Sequence, residues 1–206
     1  MSTTILKILF KYLEVEEFDQ GWTVGDTVYF LNGDRFEGPW DAQRRLMHGQ
    51  GIYFWRDGRK FEGYFVDGFK QGEGQYWDTD LSKYIGEFTD DKIEGFGVME
   101  LPGGQIYTGN FVNWTKYGSG NLTWRNGDVF QGSWTDNDGG NGTITYSDGT
   151  LYIGQWRGDK RHGKGEMRYT HGGKYIGEFK NGLKDGQGNY TWNDGSYYSG
   201  HFEDDR

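Results

Sequence analysis

The feature of this sequence that most limits its possible folds is a five-residue motif, aromatic-any-Gly-any-aromatic, that recurs at a nearly constant interval. Its copies are FEGPW, FEGYF, YIGEF, YTGNF, FQGSW, YIGQW, YIGEF and YSGHF, and they begin at Phe36, Phe61, Tyr84, Tyr107, Phe130, Tyr152, Tyr175 and Tyr198. From Gly63 onward the central glycines recur every 23 residues with a single step of 22, while the first step, from Gly38, is 25. A fixed period of this size indicates a repeat array, in which each unit packs on its neighbours.

Each repeat reads as two β-strands. In the unit 175–197, aromatic residues and glycines alternate with other residues both before and after the Asn181-Gly182 pair. A period of two is typical of strands with one packed face, and Asn-Gly or Asp-Gly pairs favour the tight turns of hairpins. All connections are short, so the simplest topology is an antiparallel meander extended unit by unit.

Aromatic rings must supply most of the core. The chain has 37 glycines, 15 tyrosines, 14 phenylalanines and 9 tryptophans. A glycine inside a strand costs roughly 0.5–1 kcal/mol relative to alanine, so glycines at fixed places in every unit need a structural reason. We expect each to leave a shallow site where a ring from a neighbouring strand lies against bare backbone.

One unit, YIGQWRGDKRHGKGEMRYTHG from Tyr152, resembles the MORN repeat along nearly its whole length. The resemblance covers residues 36–206, with seven complete units and a terminal half. It implies an all-β fold, an elongated single-layer antiparallel meander of stacked MORN hairpins that serves as an interaction module and is often dimeric. Known MORN proteins include cytoskeletal and ciliary scaffolds and junctional membrane-tethering proteins. We therefore divide the chain into an N-terminal helical segment (1–20), a degenerate half-repeat cap (21–35) and the repeat array (36–206).

The segment before the repeats is expected to be helical over residues 3–18. Ile5, Leu9, Tyr12 and Leu13 follow the three- and four-residue spacing of an amphipathic helix. Its apolar side has two interpretations that remain open. It caps the first edge of the array, or it docks to another subunit.

The early units differ from the later ones on the face opposite the repeated rings. Seven large apolar residues are expected to point outward there and to form one contiguous patch for binding a protein partner, together with Ile5 and Leu9 of the helix. The seven are Tyr29, Ile52, Phe54, Trp77, Ile85, Phe96 and Val98. In the later units the equivalent positions hold Ser, Thr, Asn, Gln and charged residues, which indicates an ordinary solvated surface.

A basic stretch supports an alternative, membrane-tethering or phosphoinositide-binding role. Its members, the candidate lipid contacts, are Arg157, Lys160, Arg161, Lys164 and Arg168. Each favourably placed basic residue contributes about 1 kcal/mol to binding an anionic membrane. Against this, the net charge of −9 opposes attraction to anionic lipids and to nucleic acids, so no nucleic-acid partner is expected.

The composition also bears on location. The chain has no cysteine, which excludes disulfides, thiolate zinc sites and thiol nucleophiles and fits an intracellular, cytoplasmic protein. Lys7 and Lys11 interrupt the longest apolar run near the N-terminus, so neither a signal peptide nor a membrane span is expected.

No catalytic, cofactor-binding or metal-binding constellation emerges from the motifs. The acidic loop 136–142 lacks the sixth-position glycine and the final glutamate of a calcium loop, so a hairpin turn is expected. Ser119 lies between repeat glycines without a local base. The sequence thus predicts a non-enzymatic structural scaffold, a protein–protein interaction module within a larger cytoskeletal, ciliary or other multi-subunit assembly. A homodimer also remains open.

Overall fold

A computed structural model of the chain describes residues 15–18, 21–24, 26–158 and 160–206. Within these residues the secondary structure consists of β-strands joined by turns, with no helix. The chain forms two compact units, Met1–Gly95 and Phe96–Arg206. The predicted fold class, an all-β antiparallel meander of repeat hairpins, is confirmed.

The first unit contains hairpins from the half-repeat and from the early repeats. Its strands are β1 Val15–Phe18, β2 Gly21–Val24, β3 Thr27–Phe30, β4 Arg35–Glu37, β5 Trp40–Asp41, β6 Leu46–Met47, β7 Gly49–Phe54, β8 Lys60–Val66, β9 Phe69–Trp77 and β10 Lys83–Thr89. Strands β1 to β4 and β7 to β10 pair antiparallel in chain order, with β4 joined to β7. Strands β5 and β6 form a separate two-stranded ribbon.

The start of this unit is irregular. Strand β4 ends at Glu37, just before Pro39, and the β5–β6 ribbon follows, because proline has no N–H to donate to the ladder. The helix expected over residues 3–18 is wrong for its last turn, since Val15–Phe18 is a strand that pairs with Gly21–Val24. The rest of that predicted helix, with Ile5 and Leu9, lies outside the described residues.

The second unit is a regular series of hairpins. Strand β11, Lys92–Glu100, includes the boundary between the units. The strands that follow it are β12 Ile106–Val112, β13 Thr115–Thr123, β14 Val129–Thr135, β15 Asp138–Thr145, β16 Leu151–Arg157, β17 Lys160–Arg168, β18 Lys174–Lys180, β19 Leu183–Thr191 and β20 Tyr197–Phe202. From β12 to β20 each strand pairs antiparallel with the next.

The repeated aromatic residues of each unit lie on one side of its strands, which we call the ring face, and the opposite side is the outer face. In the second unit the rings form an unbroken series: Phe111, Tyr107, Trp134, Phe130, Trp156, Tyr152, Phe179, Tyr175, Phe202 and Tyr198. Neighbouring rings meet edge to face with centroids 4.9 to 5.6 Å apart. Such contacts add about 0.5–1.5 kcal/mol per pair beyond the burial of apolar area.

Tyr107 shows why the repeat needs its glycines. A Cβ added at Gly109 would lie 2.5 Å from the Tyr107 hydroxyl oxygen, and one at Gly120 would lie closer still. The ring therefore rests on bare backbone, and its hydroxyl donates a hydrogen bond of 3.1 Å to the Asn110 carbonyl oxygen. The predicted ring sites are confirmed with one correction. The ring comes from the same strand as Gly109, and only Gly120 lies on the neighbouring strand.

Successive repeats are also joined at their turns. The Lys116 amide donates to the Asn137 side-chain oxygen at 2.7 Å, and the Asn137 amide donates to the Lys116 carbonyl at 3.2 Å. Lys184 and Asp205 exchange the same two bonds at 2.9 and 3.0 Å. Asn137 has a φ of 66°, in the left-handed region that hairpin turns require and that Asn and Asp tolerate. These turn residues hold one hairpin against the next.

Candidate protein-binding surfaces

The outer face of the first unit carries a row in which aromatic rings alternate with cations. Strand register places six residues side by side on successive strands: Tyr29, Arg35, Phe54, Lys60, Trp77 and Lys83. We call this set the mixed row. Three of its members had been identified from the sequence as partner contacts.

The cations of the mixed row lie on its rings. The Arg35 guanidinium carbon is 3.8 Å from the centroid of the Phe54 ring, and the Lys60 ammonium is 4.2 Å from that of Trp77. The Lys83 ammonium is 5.0 Å from the Trp77 centroid. A cation over a ring face is attracted by the ring quadrupole, and this interaction contributes about 0.5–1 kcal/mol at exposed sites.

A second row of the same face holds carboxylates that pair with these cations. Glu37 accepts a hydrogen bond of 3.0 Å from Arg35, and Glu62 lies 3.0 Å from the Lys60 ammonium. Ile52 occupies the register position between these two glutamates. Arg35 and Lys60 are therefore each held by a ring on one side and a carboxylate on the other.

The expectation of one contiguous apolar patch requires correction. Arg35 and Lys60 stand between the predicted aromatic residues, because each precedes a repeat motif and so occupies an outward position of its strand. Ile85 is 42% exposed in the carboxylate row. Phe96 and Val98 belong to the second unit, where Phe96 is 54% exposed. Partner binding by the predicted residues stays a prediction.

Two adjoining clefts accompany the mixed row on the first unit. Their volumes are 520 and 240 Å³, and both are lined by Gln50, Gly63 and Glu73. The smaller cleft also reaches Glu62 and Ile85 of the carboxylate row. Polar and apolar groups thus converge beside the mixed row.

The outer face of the second unit is polar only in part. Its second strands carry the polar residues that the sequence predicts, but Ile106, Ile153 and Ile176 of the first strands are 41–44% exposed beside them. Thr123 and Thr145 flank Val129 in one register row, and Asn121 and Thr143 flank Gln131 in the next. Short polar side chains of this kind on a solvated sheet face give no concentrated binding chemistry.

The basic stretch does not form one surface. Arg161 lies on the ring face, where its Nε and Nη2 donate to the Gly182 carbonyl oxygen and its Nη1 donates to the Tyr146 hydroxyl at 3.0 Å. Its guanidinium carbon is also 5.7 Å from the centroid of Phe179. Arg161 therefore joins neighbouring hairpins, and lipid contact by this side chain stays a prediction.

The other basic residues of the stretch occupy outward register positions. Arg157, Lys160 and Lys164 are exposed. Arg168 donates a hydrogen bond of 2.7 Å to the Glu166 carboxylate, which reduces the positive charge available to a lipid headgroup. Lipid contact by these four residues stays a prediction.

The buried tyrosine hydroxyls of the ring face are engaged in the fold. Burial raises the pKa of Tyr107 and of Tyr175 to about 12, so both phenols are neutral near pH 7. Of the segment 136–142, only Asp136 and Asn137 form the expected hairpin turn, and the rest belongs to strand β15. The Asp138 carboxylate accepts a hydrogen bond of 2.6 Å from the Gly158 amide. The described residues contain no group of three His, Asp or Glu side chains placed to hold a metal ion.

The sequence interpretation missed a groove on the ring face of the second unit. It consists of two adjoining cavities of 400 and 380 Å³ that share Asn126, Asp128 and Tyr146. Trp124 and Trp156 line the first cavity, and Tyr169 lines the second. We call this set of cavities the step groove.

A sequence signal for the step groove was present. Each later repeat has an aromatic residue directly after its second strand: Trp124, Tyr146, Tyr169 and Trp192. These residues fall outside the aromatic-any-Gly-any-aromatic motif, which identifies only residues inside the strands. Side chains alternate between the two faces along a strand. The last residue of each second strand points to the outer face, so the residue that follows it lies on the ring face.

The family model described as "MORN repeat" matches residues 46–58, 61–83, 84–106, 107–129, 130–151, 152–174 and 175–197, well over half of the chain. No curated protein sequence matches the chain. The described residues include no helix that is long and apolar enough to span a membrane.

Several solved structures are similar to this chain. One is the G-box domain of the microcephaly protein CPAP, with 14% identity, a TM-score of 0.48 and coverage of 92% of this chain and 98% of that chain. The TCP10 domain of Danio rerio CPAP, solved with a peptide of Danio rerio STIL, has 13% identity, a TM-score of 0.47 and coverages of 91% and 98%. The SAS-4 TCP domain of Drosophila melanogaster, solved with a proline-rich motif of Ana2, has 15% identity, a TM-score of 0.45 and coverages of 75% and 85%. None of them shares enough sequence with this chain to transfer a role to it.

Proposed function

Because the chain belongs to the MORN-repeat family, we propose that it is a non-enzymatic scaffold that binds protein partners through the outer face of its first unit. The observation that carries this proposal is the mixed row, where rings and cations alternate on a half-exposed surface. The outer face of the second unit has the same strand geometry and lacks this composition.

The chemistry of the mixed row suits a protein partner. Aromatic residues and arginine are enriched at protein interfaces and among the residues that carry most of the binding energy. Phe54 and Trp77 offer ring area, while Arg35 and Lys60, each balanced by its own glutamate, border the rings with polar groups. The clefts beside the row, lined in part by Ile85 and Glu73, supply depth next to this flat area.

The mixed row is also ordered before any partner arrives. Arg35 is held between Phe54 and Glu37, and Lys60 between Trp77 and Glu62. Fixing a flexible side chain at an interface costs about 0.5–1.5 kcal/mol, and a side chain already held in place loses less. This arrangement favours binding over mere solvation.

A scaffold role agrees with the use of polar groups elsewhere in the fold. Tyrosine hydroxyls donate to backbone carbonyls beside the glycines, and turn carboxylates accept from backbone amides of neighbouring hairpins. These groups are committed to structure, so we do not assign them to catalysis. As a finer part of the proposal, the partners belong to a multi-subunit assembly of the cytoskeletal or ciliary type, within the cytoplasm. Self-association into a dimer is compatible with the same surface.

We do not extend the proposal to membranes. Arg161 is engaged with Gly182 and Tyr146, and Arg168 is paired with Glu166. The remaining basic residues, on a chain of net charge −9, give a weak basis for lipid binding.

The test is affinity capture from cells that naturally make the chain, with stoichiometry measured by mass spectrometry. The test variant carries Phe54→Ser and Trp77→Ser, and the matched control carries Thr123→Ala and Thr145→Ala on the outer face of the second unit. Thermal unfolding confirms that both variants are folded. We expect the wild type and the control to capture the same stoichiometric partners and the test variant to lose them. Equal capture by both variants, or no stoichiometric partner for the wild type, contradicts the proposal.

A further inference from the structure

We propose that the step groove binds a proline-rich segment of a partner protein in the polyproline II conformation, with a basic residue beside the prolines. This inference goes beyond the scaffold role, because it assigns a second surface, on the ring face of the second unit, and a class of ligand. Most of the groove is formed by residues outside the repeated ring series, notably Trp124, Tyr146 and Tyr169, and Trp156 of that series lines one end.

The spacing of the groove residues matches this ligand. Trp124, Tyr146 and Tyr169 occupy the same position in consecutive repeats, and each repeat contributes two strands. With strands about 4.8 Å apart, equivalent residues recur every 9.6 Å or so across the sheet. A polyproline II helix has three residues per turn and a rise of about 3.1 Å, so one side of it recurs about every 9.3 Å. A segment lying across the strands can therefore place one proline against each aromatic residue.

The groove also provides hydrogen-bond donors for such a backbone. Polyproline II has no internal hydrogen bonds, so its carbonyl oxygens are free to accept from a protein. The Tyr146 hydroxyl accepts from Arg161, and its own hydrogen has no acceptor among the described residues. The Tyr169 hydroxyl forms no hydrogen bond with any residue that the structure describes. Both phenols line the second cavity.

Trp156, in the first cavity, has an indole N–H without a partner in the part of the chain that the structure describes. Its Nε1 is buried and makes no hydrogen bond there. The equivalent Trp134 donates from Nε1 to the Gly120 carbonyl oxygen at 3.1 Å. A buried donor without an acceptor is rare in folded proteins. Because this nitrogen is closed off from solvent, its N–H is not counted among the donors that the groove offers a ligand.

Charge complementarity defines the residue beside the prolines. Asp128 and Asp148 both line the second cavity, and Asp148 is exposed. Arg161 lines the same cavity and keeps its positive charge, because its N–H groups donate to the neutral Gly182 carbonyl and Tyr146 hydroxyl. The lining of this cavity thus holds two carboxylates against one guanidinium, and this excess of negative charge complements a lysine or arginine of the ligand. The exposed Arg125 lines the first cavity, so the basic residue of the ligand is placed at the second.

The rings of the groove are held in position before binding. His171 stacks on Tyr169 with ring centroids 5.2 Å apart and planes at 8°. Arg161 holds the hydroxyl of Tyr146. Grooves with fixed aromatic walls recognise polyproline II segments well, because the ligand is also stiff and little entropy is lost on either side.

The series of step aromatics is interrupted in the first unit, which makes the inference specific to the second. Trp55 occupies the step position of one early repeat, but Asp78 occupies that position in the next. The Asp78 carboxylate accepts a hydrogen bond of 3.1 Å from the Tyr76 hydroxyl. The series of step aromatics is therefore interrupted there by a carboxylate that is already engaged.

The experiment measures binding of a fluorescent decaproline peptide with one arginine at each end to the full chain, by fluorescence anisotropy. A peptide of alternating glycine and serine, with the same length and end arginines, is the ligand control. We expect the decaproline peptide to bind at least about tenfold more tightly than the control peptide. Tyr169→Ala and Trp124→Ala should each weaken its binding about tenfold, as expected for aromatic contacts at the centre of an interface.

Tyr197→Ala is the matched protein control, because Tyr197 is 75% exposed and lies outside the groove. This variant should bind the decaproline peptide like the wild type. Equal affinity of the wild type for both peptides, or unchanged binding by Tyr169→Ala and Trp124→Ala, would overturn the inference. Binding of a β-1,4-linked glucose hexamer in place of the peptide would also overturn it, in favour of a carbohydrate groove. None of these outcomes bears on the mixed row, so the scaffold proposal is tested separately.

Discussion

The ring face and the outer face of this molecule share one backbone but differ in what determines their residues. On the ring face, Tyr107, Phe130, Tyr152 and Tyr175 occupy one repeat position, and all are buried against glycines and neighbouring rings. On the outer face, the equivalent rows change from rings and cations in the first unit to threonine and asparagine in the second. Packing thus fixes one face, and the other is free to acquire binding chemistry. Substitutions on the ring face should therefore lower stability, whereas substitutions on the outer face should mainly change partner binding.

The largest effect is expected when a buried ring is removed. Phe111 is 1% exposed and packs edge to face on Tyr107 at 5.1 Å. Phe111→Ala should lower the free energy of unfolding by about 3–5 kcal/mol, because it removes buried area and leaves a cavity. Tyr117, in the same repeat, is 50% exposed and provides the matched control. Tyr117→Ala should cost less than about 1 kcal/mol in urea unfolding. Equal losses for the two variants would contradict a core confined to the ring face.

The second-largest effect is expected in how the free energy of unfolding depends on pH, which should differ between tyrosines of the two faces. Burial raises the pKa of the Tyr175 hydroxyl to about 12, while tyrosine in an unfolded chain has a pKa of about 10. The unfolded chain therefore loses its proton first, so this contribution to stability is complete below about pH 10 and is lost as the pH rises toward 12. Tyr175→Phe should make the free energy of unfolding fall less steeply between about pH 9.5 and pH 11.

The outer face provides the control for that pH dependence. Tyr197→Phe, at a side chain that is 75% exposed, should leave the slope of stability against pH unchanged. A slope that responds equally to Tyr175→Phe and Tyr197→Phe would show that burial on the ring face does not set it.

The smallest effect on stability is expected in the mixed row. Lys60→Gln removes one ion pair with Glu62 and one cation contact with Trp77. Because these contacts are partly exposed, the free energy of unfolding should fall by about 1 kcal/mol or less. A loss as large as that of Phe111→Ala would mean that the mixed row maintains the fold and is not free for a partner.

Much of the fold follows from the sequence because the repeat position of each residue predicts its face. The period locates the strands, and the aromatic-any-Gly-any-aromatic motif identifies the rings on the ring face. The source of the ring over each glycine was less clear, since a period of two does not show whether Tyr107 lies along its own strand or across to the next. The structure shows that it does both, over Gly109 and Gly120.

The binding surfaces were harder to predict, for identifiable reasons. The large apolar residues of the early outer face were found, but Arg35 and Lys60 between them went unnoticed, since they come from adjacent strands and meet only through strand register. Arg161 looked like its basic neighbours in the chain, yet alternation places it on the ring face. The step groove arises from residues such as Tyr146 and Tyr169, which are 23 positions apart in the chain and form one surface only when the hairpins pair.

The most direct test of the division between the two faces compares the melting temperatures of Gly109→Val and Asn110→Val. These neighbouring residues of one strand lie on opposite sides of it. A Cβ at Gly109 would meet the Tyr107 hydroxyl oxygen at 2.5 Å and the Gly120 Cα at 2.6 Å, whereas Asn110 is exposed. We predict that Gly109→Val loses about 3 kcal/mol or more, with a clearly lower melting temperature, and that Asn110→Val stays within about 1 kcal/mol of the wild type. Equal melting temperatures for the two variants would contradict a fold built from rings resting on glycine backbone.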